Sequence, residues 1–348
     1  MPDDFDYSQP VNRNRVTDGS APLLTIGLIA LCVLLTAIFW IAPQDDKSNS
    51  LYKVVHIALL TPDQIWSGHY LGLVTSFFIH LDLMHLGFNM IWIWKMGATL
   101  EKSVSAWKYV LFMVMGTAVG SCCELLVSGQ TGAGASGAGY ALMGLFWGGR
   151  GFHDSWRQLG TRDNMRLFLV WGVFCIFMTV THVMSVANGA HFGGLLFGLA
   201  VGYLFFSPQR KPLWISALIL VLGLCVVSLT WVPWSSTWNW YKGSQAYNRH
   251  HYEDAVAYYE RSLRMGGARM DLMHNLAISW LGISEQADAN NRPQEAAAAL
   301  KKYEALEAAS NAQPPPAATS ENSAGDPNES SGNVLTGRMK RDVPATKK

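Results

Sequence analysis

Long apolar stretches alternate with short polar ones over the first two-thirds of the chain, and this pattern predicts membrane-spanning helices. A helix needs about 20 mainly apolar residues to cross a hydrocarbon core of about 30 Å. Seven windows approach that length, at residues 23–42, 83–99, 107–127, 136–147, 167–186, 191–206 and 213–233. The pattern predicts an all-α fold, a polytopic membrane helical bundle.

The fourth window is too short for a full crossing and is rich in glycine, with Gly134, Gly137, Gly139 and Gly144 in or just before it. Irregular backbone is tolerated at membrane depth only where protein buries it or where it lines water. We therefore expect a short helix that starts below the membrane surface, follows an irregular loop and is surrounded by other helices. Ser136 would be at its start.

Composition and charge support the membrane interpretation and give an orientation. Half of the residues are apolar and 15% are charged. With the N-terminus inside, outer loops hold Lys47 and Lys53, whereas inner loops hold Lys102, Arg150, Arg157, Arg162, Arg166, Arg210 and Lys211. Positive residues favour the cytoplasmic side, so we expect a cytoplasmic N-terminus and, after seven spans, an external C-terminal region. The acidic start fits neither a signal nor a transit peptide, so the first span would direct insertion.

The composition changes abruptly after Trp240, where amphipathic helices with a faint period of 34 are predicted. Gly243, Ala255 and Tyr259 stand where a tetratricopeptide repeat places its Gly, Ala and Phe. The Trp position falls on Asn239, and a second unit, with Ala277 one period after Gly243, fits less well. A generic helical hairpin is the alternative. Such a pair would dock on the membrane domain or self-associate, so a protein partner is expected for 240–308.

Four regions follow from these patterns: an N-terminal tail (1–20), a membrane domain (21–235), a tetratricopeptide-like domain (236–308) and a disordered tail (309–348). The last has almost no aromatic or β-branched residues and cannot bury a core. The five cysteines all lie within apolar windows, where they pack as small hydrophobes. With no metal-ligand spacing, we expect no metal, no cofactor and no nucleic-acid partner.

Two polar residues within the apolar windows are the candidates for chemistry. Ser136 lies in Gly134-Ala135-Ser136-Gly137, and His191 opens the sixth window. Ionisable residues cost about 2.5–3.5 kcal/mol in hydrocarbon by insertion scales, so one retained there suggests a functional site. A serine hydroxyl is a weak nucleophile without a nearby base. The sequence predicts Ser136 as nucleophile and His191 as general base, brought together because Gly194 and Gly198 let the sixth helix approach the fourth.

Further polar groups complete the predicted site. His85 and Asn89 are four residues apart on one helical face, and neutral donors stabilise an oxyanion without burying a permanent charge. The backbone N–H of Ser136, at a helix start, is a further donor. Tyr140, one turn after Ser136, is expected to position the imidazole by packing. Asp82 lies at the boundary, where solvation is its expected role. No intramembrane carboxylate is identified as a third member, so a dyad is predicted.

At these residues the sequence resembles the rhomboid intramembrane serine proteases, over about residues 21–234. The motifs are His80-x4-His85-x3-Asn89, Gly97-x3-Glu101, Gly134-x-Ser136-Gly137, Tyr140-Ala141-Leu142-Met143-Gly144 and Ala190-His191-x2-Gly194. The resemblance implies a six-helix core with an added seventh span, an inner membrane of a bacterium and cleavage of transmembrane-segment substrates. It also implies Ser136 as nucleophile, His191 as base, His85 and Asn89 in the oxyanion hole, Tyr140 against the histidine, and structural roles for His80 and Glu101.

One departure and several alternatives accompany the resemblance. Leu71-Gly72 stands where many members have Trp-Arg, which affects the loop after the first span. A catalytically silent relative that acts as a binding or quality-control scaffold, with a partner site on the repeats, is the main alternative. Paired intramembrane charges or matching broken helices, expected of a transporter, are not visible. A simple membrane anchor for the repeats would leave Ser136 and His191 unused.

Overall fold

The computed structural model describes residues 20–43, 48–206, 210–267 and 269–311, and these residues form helices, turns and connecting segments. The predicted all-α class is confirmed. The chain divides into two compact units, Met1–Trp231 and Val232–Lys348. Apart from residues 20 and 309–311, the predicted tails at 1–20 and 309–348 lie outside the described residues. Residues 309–311 belong to a helix.

The first unit contains helices of very different lengths, some of which are joined by tighter or wider turns. A 3₁₀ turn, Ser76–Phe78, and a π-helical turn, Ile93–Gly97, lie between the α-helices. In chain order the helices are α1 (Leu23–Ile41), α2 (Ser50–Ala58), α3 (Pro62–Trp66), α4 (Gly72–Thr75), α5 (Leu83–Trp92), α6 (Ala98–Ser103), α7 (Ala106–Ser128), α8 (Ser136–Gly148), α9 (Asp154–Leu159), α10 (Arg162–Val180), α11 (Asn188–Phe206) and α12 (Lys211–Thr230).

Among the described residues, five helices are long and apolar enough to cross a membrane: α1, α7, α10, α11 and α12. The number is six if Gly72–Phe78 and Leu83–Ser103, which meet at a bend of 101° just before the second window, count as one span. Each of the seven predicted windows contains a helix, but the bend lies just before the second window and the fourth window's helix, α8, has 13 residues. The membrane helical bundle is confirmed.

Two predicted boundaries were wrong because hydropathy does not detect helix ends. Helix α10 begins at Arg162, five residues before the predicted window, because Thr161 caps it and accepts a hydrogen bond from Asn164 N at 3.2 Å. It ends at Val180, six residues before the window does. His182 there has a left-handed φ of 56°, which a continuing helix does not allow.

Helix α8 lies inside the bundle, packed against α7, α10 and α11. Its Ala141, Leu142, Met143 and Phe146 are completely buried. The expectation of a short helix surrounded by others is confirmed. This burial explains how a glycine-rich helix of low intrinsic propensity persists, since helix stability in proteins comes mostly from packing.

The described residues of the second unit form four helices, and their buried side chains form a separate core. That core includes Ala255, Tyr259, Leu272 and Leu276. A Cβ at Gly243 would lie 2.6 Å from the Tyr259 ring, so the glycine allows the first two helices to pack closely. Burial raises the pKa of Tyr259, which keeps its phenol neutral. The helices are α13 (Ser236–Asn248), α14 (Tyr252–Arg264), α15 (Arg269–Ala289) and α16 (Pro293–Asn311).

The first helix pair of this unit has repeat-like lengths, and the second does not. Helices α13 and α14 have 13 residues each, whereas α15 and α16 have 21 and 19. The buried Asn239, at the expected Trp position, donates to Pro233 O at 2.9 Å and Ser235 O at 2.7 Å. The amide thus binds carbonyl groups next to the start of its own helix, whereas Ser235 caps that helix. The tetratricopeptide assignment stays a prediction.

Candidate active site

The serine is presented by a loop whose backbone only glycine adopts easily. Gly134 has φ +96°, and its N–H donates to Ser76 O at 2.9 Å. The next N–H, of Ala135, donates to His80 Nε2 at 3.2 Å. These two bonds tie the loop to the segment after α4 and fix the start of α8. Ser136 is the first residue of that helix and is partly exposed.

His191, near the start of α11, lies directly opposite this serine. Its Nε2 is 2.9 Å from Ser136 Oγ, a hydrogen-bonding distance. With the ring proton on Nδ1, Nε2 accepts the hydroxyl proton. The imidazole is 3% exposed, and Nδ1 has no hydrogen-bond partner among the described residues. The two predicted reactive residues thus form a pair in which the histidine can act as base.

Glycine contacts set the distance between the two helices that carry this pair. A Cβ at Gly194 would overlap Gly137 O, and one at Gly198 would overlap Ala141 O. Backbone atoms of α8 occupy the space that a side chain would need. The helices therefore approach backbone to backbone, as small residues permit in membrane proteins. The predicted glycine stripe is the surface that holds His191 against Ser136.

Tyr140 fixes the orientation of the imidazole from the other side. Its ring stacks on His191 with centroids 4.4 Å apart and planes inclined by 13°. The Tyr140 hydroxyl donates to Phe168 O of α10 at 2.8 Å, so the phenol is itself held. A stacked, anchored ring restricts rotation of the histidine without offering it a hydrogen bond. Packing accounts for its orientation.

The predicted oxyanion donors lie on α5, and His85 faces the serine loop. A Cβ at Gly134 would lie 2.7 Å from His85 Nε2, so the ring lies against the loop two residues before Ser136. Asn89 is 6% exposed, and its Nδ2 is buried without a hydrogen-bond partner among the described residues. A buried donor left unpaired is costly, which is consistent with a group reserved for a transient acceptor. Their role stays a prediction.

Asp82 and His80 organise this face rather than react. Asp82 caps α5, because its Oδ1 accepts from His85 N at 2.8 Å. His80 is completely buried, and its backbone N–H donates to Thr36 Oγ1 at 3.1 Å. Its ring is 5.0 Å from that of His85, edge to face. The capping role of Asp82 is more specific than the solvation expected from its boundary position.

The Leu71-Gly72 departure has a packing explanation. A Cβ at Gly72 would lie 2.6 Å from Leu60 Cβ and 2.7 Å from Ile65 Cδ1. An arginine at this position has no room in this arrangement. Leu71 is 76% exposed. The residues after α3 therefore pack closely around a glycine at this position, and the Ser136–His191 pair is formed without the Trp-Arg dipeptide.

One buried carboxylate near the site was missed by sequence reasoning. Glu124 lies inside the third apolar window and is 5% exposed. Its Oε2 accepts from Gly189 N at 2.8 Å and from Ala190 N at 3.3 Å, directly before His191. A single acidic residue within a long apolar window was the available signal. It did not identify a partner, because a carboxylate that binds backbone leaves no motif.

The fold and the site together define a class of protein. It is an all-α membrane protein with a serine–histidine pair inside its helical bundle. Residues 63–208 match the family model described as Rhomboid domain. The membrane unit of the chain therefore contains a rhomboid family domain.

Individual relatives agree with the family. The chain is 31% identical over 193 residues to Rhomboid protease GlpG of Serratia proteamaculans (strain 568), covering 52% of this chain and 62% of that protein. It is 37% identical over 138 residues to Rhomboid protease GlpG of Klebsiella pneumoniae (strain 342), covering 38% and 48%. The same-named protein of Salmonella paratyphi A (strain ATCC 9150 / SARB42) is 35% identical over 138 residues, covering 39% and 49%. The chain thus spans about half to three-fifths of the length of these relatives.

Proposed function

We propose that the protein is an intramembrane serine endopeptidase that hydrolyses peptide bonds in or near transmembrane segments of other membrane proteins. The observation that supports this most directly is the 2.9 Å contact between His191 Nε2 and Ser136 Oγ. Relatives named Rhomboid protease support the same reaction class. A silent scaffold would not need a nucleophile and base at hydrogen-bonding distance.

The reaction would proceed by acyl transfer through a dyad. Ser136 Oγ attacks the peptide carbonyl carbon while His191 Nε2 takes the hydroxyl proton. The tetrahedral oxyanion would accept hydrogen bonds from the Ser136 N–H, His85 and the unpaired Asn89 amide. His191 then donates its proton to the leaving amine, and water hydrolyses the acyl-enzyme with the same histidine as base. Tyr140 keeps the ring aligned throughout, because it stacks on His191.

Covalent labelling of Ser136 tests this proposal. We expect a fluorophosphonate probe to modify the folded wild-type protein in detergent, and Ser136→Ala to remove the label completely. Ser121→Ala is the matched control, since Ser121 is another buried serine that donates to Leu73 O at 2.8 Å. The control should label like the wild type. Labelling that persists in Ser136→Ala, or a folded wild type that is never labelled, would contradict the assignment.

We also propose a bacterial inner membrane location with a cytoplasmic N-terminus and the second unit outside the cytoplasm. The distribution of Lys and Arg between predicted loops supports this orientation. A reporter that is active only in the cytoplasm, fused after Lys348, should be silent, and a reporter that requires export should be active. The opposite result would mean that one helix counted as a crossing does not cross. In the proposed orientation, residues 240–308 lie outside the cytoplasm, where they would contact protein partners or a second copy.

A further inference from the structure

Glu124 forms a bond pattern that the proposed reaction does not otherwise use. It lies on α7, and its carboxylate binds the N–H groups of Gly189 and Ala190, the second and third residues of α11. The first four N–H groups of a helix have no partner within the helix. The carboxylate supplies an acceptor for two of them. His191 is the next residue in the chain.

The position matters because the start of a helix carries a partial positive charge. His191 is the fourth residue of α11, and helical side chains tilt toward the N-terminus of their helix. The proposed reaction places a positive charge on this imidazole when it takes the Ser136 proton. The positive helix start opposes that step. A carboxylate bound to the same N–H groups offsets the opposition, and its effect is strengthened inside a poorly polarisable bundle.

We propose that Glu124 is a positioning residue that holds the first turn of α11 and favours the protonated form of His191 during proton transfer. The inference rests on the proposed function and extends it. Because His191 Nδ1 has no partner among the described residues, the carboxylate acts through the helix backbone rather than by direct contact. It would carry out part of the task that a buried aspartate performs in a serine–histidine–aspartate triad.

The other titratable groups around this pair are thiols, a phenol, an imidazole and, next to that imidazole, the exposed Asp82 carboxylate. The adjacent elements contribute them as follows: His85 from α5, Cys122 and Cys123 from α7, Tyr140 from α8, Cys175 from α10 and Cys225 from α12. Glu124 is the only buried carboxylate in this set of described neighbours. We therefore expect a change in charge at Glu124 to alter the protonation equilibrium of the His191 imidazole.

Glu101 provides a matched control elsewhere in the same unit. Its two carboxylate oxygens accept from Leu24 N and Thr25 N, both at 2.8 Å. These are the second and third residues of α1, the same positions that Glu124 binds on α11. Helix α1 carries neither Ser136 nor His191. Glu101→Gln therefore removes a capping charge without changing the charge near the imidazole.

The test is the pH dependence of kcat/KM for a single-span substrate in proteoliposomes, measured for wild type, Glu124→Gln and Glu101→Gln. Glutamine keeps an oxygen acceptor, so Glu124→Gln should preserve the cap but lose the charge. Loss of the negative charge disfavours the imidazolium form of His191 and lowers its pKa. The acid limb of the pH profile of kcat/KM should therefore move to lower pH by about 0.5 to 1.5 units. Glu101→Gln should lower thermal stability and leave the limb in place.

Several results would overturn the inference. An acid limb of Glu124→Gln within about 0.2 units of the wild-type limb would remove the charge effect, as would an equal shift in Glu101→Gln. If Glu124→Gln does not fold, Glu124→Asp replaces it, since aspartate keeps the charge. Its limb should stay within about 0.3 units of wild type while stability falls, and a larger shift would count against the proposal. Wild type without Ser136-dependent turnover would overturn the proposed function and this inference with it, whereas a normal wild type with an unshifted Glu124→Gln overturns this inference alone.

Discussion

Replacing Ser136 and His191 together by alanine is expected to cost little more activity than replacing either one alone. Each single change should lower kcat by on the order of 10⁴-fold or more, and the double change should add little, because residues that act as one unit are strongly non-additive. The reason lies in the 2.9 Å contact between His191 Nε2 and Ser136 Oγ. Without the base the hydroxyl stays protonated, and without the hydroxyl the base has no proton to take.

Asn89→Ala is the contrasting variant in the same experiment. It removes one oxyanion donor among several, so the expected loss is on the order of 10²- to 10³-fold and activity stays measurable. Cleavage of a single-span substrate in proteoliposomes is measured for the wild type and for these four variants. Thermal stability is followed in parallel. Full activity in folded His191→Ala would contradict the dyad. A double variant far worse than either single one would show that the residues act independently.

Hydropathy predicted the membrane helices well because burial in hydrocarbon demands long apolar runs. The glycines added information of a different kind. Gly194 and Gly198 predicted a close approach of two helices, and the backbone oxygens of Gly137 and Ala141 occupy the space where their side chains would be. A spacing of four residues is enough to place such glycines on one face. The packing that brings Ser136 to His191 was therefore accessible from the sequence.

Features that depend on long-range polar contacts were not accessible in the same way. Glu124 binds Gly189 and Ala190, which are more than sixty residues away in the chain, through backbone N–H groups that have no side-chain signature. The bend of 101° between the segments before and after Leu83 is another example. Asp82 starts a new helix there by capping His85 N. The predicted window begins at Leu83, but hydropathy does not give the angle at which the preceding segment meets it.

Gly198→Ala is expected to have the largest effect on stability of any single methyl group added to the membrane unit. The new Cβ would overlap Ala141 O, a backbone atom of α8 that cannot move without shifting the helix. Overpacking of a well-packed core costs about 1–3 kcal/mol and occasionally more, and a backbone clash belongs at the upper end. Because α8 carries Ser136 and α11 carries His191, separating the helices should also reduce turnover in any protein that still folds.

Gly223→Ala supplies the matched control, since a Cβ at Gly223 of α12 meets nothing within 4 Å. Alanine there should be neutral or slightly stabilising, because it has the higher helix propensity. Both variants can be compared by the midpoint of thermal unfolding in detergent and by fluorophosphonate labelling of Ser136. A Gly198→Ala protein as stable and as readily labelled as Gly223→Ala would mean that α8 and α11 tolerate a wider separation. In that case the glycine contacts would not set the distance between Ser136 and His191, and another constraint, such as the stacking of Tyr140 on the imidazole, would have to hold the pair together.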